Sequence, residues 1–92
     1  MSSQLAKGKV WVLDKATELA LELGVNGALH WRVEGNQWHS LALERADLKE
    51  IPPANFVRSE LEWCSASDEI RRRLEREIRA WLGGIQTKDD VA

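Results

Sequence analysis

In Leu29-His30-Trp31-Arg32-Val33-Glu34-Gly35-Asn36-Gln37-Trp38-His39-Ser40 the apolar residues change their period from 3.6 to 2: Leu29, Trp31 and Val33 alternate with His30, Arg32 and Glu34. That is the pattern of a half-buried strand. Gly35-Asn36 fits a two-residue hairpin loop, because glycine tolerates the positive φ needed at its first position. This loop predicts a register with Glu34 facing Gln37, Val33 facing Trp38, Arg32 facing His39 and Trp31 facing Ser40. One face then carries Leu29, Trp31, Val33, Trp38 and Ala42 as core. The other carries His30, Arg32, Glu34, Gln37 and His39 toward solvent. The hairpin is expected over residues 28–43.

The segments on either side read as helices. Over residues 4–23, Leu5, Val12, Leu13, Ala16, Leu19, Ala20 and Leu23 share one arc, which Ala6, Val10 and Leu21 extend, while Gln4, Lys7, Asp14, Lys15, Glu18 and Glu22 fall opposite. Ser2 or Ser3 would cap that helix and Gly24 would end it. A competing reading makes Lys9–Leu13 a strand, with Asp14 capping a shorter helix from Lys15. Gly8 supports it, since glycine inside a helix costs about 1 kcal/mol relative to alanine. The long helix is the preferred reading.

Pro52-Pro53 closes the Arg45–Glu50 segment, and a helix is expected over 55–64 with Val57, Leu61 and Cys64 inward. Ser65–Ser67 breaks and caps the chain. A last helix, 68–82, buries Ile70, Leu74, Ile78 and Trp81, with Gly83-Gly84 as its stop and 86–92 as a polar tail. The expected architecture is one α+β domain ordered helix, hairpin, helix, helix, with the helices packed on one face of the hairpin. At 92 residues, 43% hydrophobic and 30% charged, the chain is too short for a second core and too apolar for disorder.

Charge excludes a strong general field. The net charge is -2, with 6 basic and 7 acidic groups in residues 1–50 and 7 and 8 in residues 51–92. Neither half offers the excess positive charge that nucleic acid or an anionic membrane attracts. Apolar runs reach only four residues, as at Val10–Leu13, against the roughly 20 that span a bilayer. One cysteine cannot form an internal disulfide and Met1–Leu5 has no signal-peptide pattern, so a cytoplasmic setting is expected.

Catalytic material is sparse. Cys64, on an inward line, reads as an inert core thiol. His30 and His39 share the polar hairpin face in the expected register; a metal site there would need Glu34 and a further ligand, and solvated polar groups explain the pair equally well. No catalytic residue, cofactor or metal is expected. Arg72, Arg76 and Arg79 form a ridge at i, i+4 and i+7. The acid-first pairs Asp68–Arg72, Glu69–Arg73 and Glu75–Arg79 make a salt-bridged solvent face its simplest explanation, and recognition of an acidic partner the functional one.

The five tryptophans, beside one Phe and no Tyr, carry more information. Trp31, Trp38 and Trp81 lie on inward lines. Trp11 and Trp63 do not, and so are either interface anchors or a second packing surface within the domain. A two-stranded hairpin also leaves two open edges that need cover or a partner strand. The expected function is therefore non-catalytic: a small regulator or adaptor acting by protein contacts, of a kind that phage or mobile-element inhibitors of host machinery would fit. Its contacts would be Trp11, Trp63, His30, Arg32, His39 and the Arg72, Arg76, Arg79 ridge, with another protein or with a second copy through the hairpin edge or the C-terminal helix.

The alternative is a DNA-binding regulator. Leu-Ala-Leu-Glu-Arg-Ala-Asp-Leu-Lys-Glu-Ile, residues 41–51, resembles the wing-to-helix passage of excisionase-like winged-helix proteins over about ten residues. That resemblance implies base contacts from Asn26, His30, Arg32, Asn36 and Gln37, and dimerisation through the last helix. The even charge balance argues against it.

Overall fold

Ser3–Leu23 forms one continuous helix, α1, in the computed structural model, which describes residues 3–34, 38–44 and 52–90. The competing strand at Lys9–Leu13 does not form. Gly8, the residue that counted against a helix, is where α1 crosses the backbone of a later helix: a Cβ there would lie 1.9 Å from the Leu61 carbonyl oxygen. Only hydrogen fits, so the propensity cost of glycine is offset by close helix packing. Gly24, with φ +72°, ends α1 by the left-handed turn expected of it.

Strands β1 (Ala28–Glu34) and β2 (Trp38–Glu44) form the hairpin, and a third strand, β3 (Ala54–Val57), pairs with the far side of β2. The sheet is antiparallel in the order β1-β2-β3. Two expectations change here. Residues 54–57 are strand rather than the start of a helix, and α2 is confined to Arg58–Trp63, followed by a 3-10 turn at Cys64–Ala66. Phe56 is buried while its neighbours Asn55 and Val57 are not, which is the period of a strand.

The second change is the register. Glu34 pairs with Trp38, Val33 with His39, Arg32 with Ser40, Trp31 with Leu41 and Leu29 with Leu43, one residue away from expectation, so three residues join the strands. A slip of one exchanges the faces of β2. His39, Leu41 and Leu43 point inward and Trp38, Ser40 and Ala42 outward. Burial gives the reason. Two leucines contribute about 1.5–3 kcal/mol each when buried, more than Ala42 and Ser40 can return.

The helices join the inner face of the sheet in one core, α1 meeting β1 and α2 meeting β3, while the last helix packs mainly along α1. Val12, Ala16 and Leu19 of α1 meet Leu41 and Leu43 of β2, Phe56 of β3, Leu61 and Cys64, and Leu74, Ile78 and Leu82 of α3 (Asp68–Asp90) in one core. Trp31 packs edge-to-face on Phe56 at 5.9 Å. The α3 helix continues past Gly83-Gly84 and takes in residues expected as a polar tail. Ile85, 5% exposed, supplies the cause: it prolongs the buried line Leu74, Ile78, Leu82, and its burial outweighs the helix cost of the glycines. Ser67 caps the start, its hydroxyl accepting from the Ile70 amide at 3.3 Å. The molecule is a small single α+β domain.

Candidate interaction surface

Trp38 and Trp63 are the two tryptophans most open to solvent, 51% and 61% exposed. The shifted register puts Trp38 on the outer sheet face, where Val57 of β3 is its direct cross-strand neighbour. The chain passes from Val57 into α2, and Arg58 and Glu62, one helical turn apart, form an ion pair at 2.7 Å. Glu62 borders two shallow hollows. One, of about 300 Å³, is lined by Val57, Arg58, Ser59 and Glu62. The other, of about 240 Å³, is lined by Gln4, Glu62, Trp63 and Ala66. At its rim the Ser65 hydroxyl donates to Gln4 Oε1 at 3.3 Å. Trp38 thus adjoins Val57, which lines the first hollow, Trp63 lines the second, and the Arg58–Glu62 ion pair lies at the first, with Glu62 shared by both.

Trp63 is exposed because α2 is one short turn and a half, and its inward stripe is already filled by Leu61 and Cys64, both 0% exposed. Burial raises the Cys64 thiol above its ordinary pKa, partly countered by the Arg71 guanidinium. Trp11, paired with Trp63 as a candidate from sequence, is instead partly buried against the core, with Lys15 Nζ 5.8 Å from its ring centre. Trp31 and Trp81 pack against the core as expected, and Trp81 Nε1 donates to the Pro52 carbonyl at 2.8 Å. Trp38 was expected inside and is outside.

The other candidates separate. His30 and Arg32 lie on the outer sheet face with Trp38, in the rows of Ala42 and Ser40. His30 Nε2 is 4.0 Å from Glu44 Oε1. His39 is on the inner face, 6% exposed, so it does not share a face with His30 and offers little surface for a contact. Among the described residues neither of its buried ring nitrogens has a hydrogen-bond partner. Burial, and then the charges of Lys9 and Arg58, push its pKa below the ordinary histidine value. Among the described residues no three His, Cys, Asp or Glu side chains converge as metal ligands.

Arg72, Arg76 and Arg79 are exposed on α3. The acid-first pairs expected for this helix are replaced by others. Arg79 reaches Glu22 of α1 at 3.8 Å, Arg73 reaches Glu60 of α2 at 3.4 Å, and Arg71, which also donates to the Cys64 carbonyl, pairs with Asp68. Arg72 and Arg76 have no ion pair among the described residues. Asn26 is exposed in the turn before β1; Asn36, Gln37 and residues 45–51, which carry most of the winged-helix resemblance, lie outside the described residues.

Val57, Arg58 and Glu62 were not singled out from sequence. The alternation of His39, Leu41 and Leu43 in β2 was the signal that would have turned Trp38, and with it Val57, outward. No protein-family model, curated protein or solved structure matches this chain. No helix among the described residues is long and apolar enough to cross a membrane.

Proposed function

We propose that this chain is a small, cytoplasmic, non-catalytic regulator or adaptor that acts by binding another protein through the surface from Trp38 to Trp63. The observation that carries this reading is the exposure of two tryptophans, Trp38 beside Val57 and Trp63 on the helix that follows Val57, in a domain whose other three tryptophans pack against its core. Large aromatics with little conformational freedom to lose are the residues on which interface energy concentrates, and the Arg58–Glu62 pair between them adds polar contacts of both signs. The hollows would receive apolar side chains of the partner. His30 and Arg32, on the same sheet face, would lie at the rim. An inhibitor of host machinery carried by a phage or mobile element suits a domain of this size that offers surface rather than chemistry.

The test is binding from native extracts with tagged full-length protein, comparing wild type with Trp38→Ala and Trp63→Ala. A partner retained in stoichiometric amount by wild type and lost by both variants supports the reading. Equal retention by all three sinks it. The DNA-binding alternative has a separate test: it requires duplex affinity that falls steeply with salt, and weak, salt-insensitive binding eliminates it.

A further inference from the structure

Two of the partly buried tryptophans are each faced by a cation of the chain itself. Lys9 Nζ lies 5.2 Å from the Trp31 ring centre, and Lys15 Nζ lies 5.8 Å from that of Trp11. The negative face of an indole attracts an ammonium or a guanidinium at such distances. Among the described residues no cation of the chain takes the same place at Trp63, which is 61% exposed.

The hollow beside Trp63 is lined by Gln4, Glu62, Trp63 and Ala66, so its wall holds an aromatic ring, a carboxylate and a carboxamide, and none of the four residues is basic. The Ser65 hydroxyl donates to Gln4 Oε1, which ties that carboxamide to the 3-10 turn. Glu62 Oε1 accepts from Arg58 Nε at 2.7 Å. This contact holds the carboxylate without exhausting it, since its two oxygens offer about four acceptor sites. Arg58 itself lines the other hollow and not this one. At about 240 Å³ the space falls below the roughly 300–1,000 Å³ of a small-molecule pocket and suits a single side chain.

We infer that the Trp63 hollow receives an arginine side chain of the partner protein. The inference rests on the reading above and makes one of its contacts specific: the apolar stem that enters this hollow ends in a guanidinium. Its methylenes lie against Ala66 and the indole. The planar guanidinium stacks on the ring while its edge donates to Glu62, a combination that the compact ammonium of lysine does not match. The other hollow has no aromatic ring in its wall and already holds the guanidinium of Arg58. The two hollows therefore select different residues of one partner.

Small analogues test this without the partner. N-acetylargininamide titrated into the isotope-labelled full-length protein should shift the Trp63 indole N–H resonance saturably, with a dissociation constant on the order of 1 mM for a ligand of that size. That resonance is identified by its absence from Trp63→Phe. N-acetylcitrullinamide, which has nearly the same shape without the charge, should bind at least about fivefold more weakly, and so should N-acetylargininamide to Glu62→Gln. The other four indole signals of Glu62→Gln should stay in place, which shows that its fold is kept. No shift at about 20 mM, equal binding of the citrulline analogue, or unchanged binding by Glu62→Gln would each overturn the inference. Capture from extracts separates it from the broader reading. A partner lost from Trp63→Ala but retained in full by Glu62→Gln overturns the arginine contact alone, whereas equal capture by wild type, Trp38→Ala and Trp63→Ala sinks the interaction surface as a whole.

Discussion

The two faces of β2 differ by one residue in sequence and carry different kinds of side chain, although only the strand's two end residues, Trp38 and Glu44, are exposed. His39, Leu41 and Leu43 look into the core; Trp38, Ser40 and Ala42 look away from it. The inner face accepts a histidine whose two nitrogens find no hydrogen bond, and the outer face leaves a tryptophan half in solvent. By side-chain type alone the histidine belongs outside and the tryptophan inside. The pair of leucines that shares a face with His39 overrides both preferences, because a strand cannot turn one residue without turning its neighbours at i±2. The polar content of the outer face is managed locally: Ser40, 1% exposed, donates to Asn55 Oδ1 at 2.6 Å across the β2–β3 ladder. The inner face has no equivalent arrangement for His39.

The comparison breaks first at Phe56. It is 1% exposed, packs on Trp31 and lies beside His39 across the ladder. Phe56→Ala should cost about 3–5 kcal/mol, the transfer loss plus the cavity left behind. Urea denaturation reads this directly. A loss below about 1 kcal/mol would mean that the inner face is not the core, and the register would then have to be reassigned.

His39 sharpens the comparison through pH. Burial, with Lys9 and Arg58 nearby, lowers its folded pKa below the 6.5 of the unfolded chain. Between those two values the unfolded state binds the proton and the folded state does not. Stability is therefore full above about pH 6.5 and declines as pH falls toward the folded pKa. His39→Leu should remove this contribution to the acid limb. It should also raise stability at neutral pH by about 1–3 kcal/mol, because two unsatisfied buried nitrogens are replaced by apolar atoms. Thermal unfolding of wild type and variant at several pH values measures both effects. Parallel curves for the two proteins would mean that His39 titrates alike in the folded and unfolded chain.

Much of this fold is legible from patterns of single elements. The helix at α1, the strand at β1 and the buried line of α3 each follow from apolar spacing, and Gly24 and Ser67 follow from turn and cap chemistry. What is not legible depends on a second element. The propensity cost of Gly8 is visible in the sequence, but its use requires knowing that Leu61 will pass within reach. The glycines at 83 and 84 read as a stop until Ile85 is seen to have a core to enter. Ala54–Val57 is four residues long and becomes a strand only because β2 offers an open edge.

The register is legible in the strand rather than in the turn. Gly35-Asn36 suggested the two-residue loop, whereas Leu41 and Leu43 within the strand carry more energy than any turn preference. The same slip cost the candidate site one of its two tryptophans. Trp63 could be found from its position off the Leu61–Cys64 stripe. Trp38 could not be found until the faces of β2 were assigned, and Val57, Arg58 and Glu62 follow only once β3 and α2 are placed beside it.

The smallest expected effect is on stability at Trp38 and Trp63, and it is the most discriminating. Tryptophan is the largest side chain in the domain, so a buried one replaced by alanine costs about 3–5 kcal/mol. Half or more of each ring is already in water in the folded state, and neither belongs to the buried cluster that holds the layers together. Only the covered part of each ring is lost on truncation, and no enclosed cavity forms, because solvent enters from the open side. Each of Trp38→Ala and Trp63→Ala should therefore cost less than about 1 kcal/mol in urea denaturation, several-fold less than Phe56→Ala. If either variant approaches the Phe56 loss, that ring is packing inside the domain and cannot also be an anchor for a partner. If both stay small while binding is lost, the energy of those two side chains is spent outside the chain that carries them.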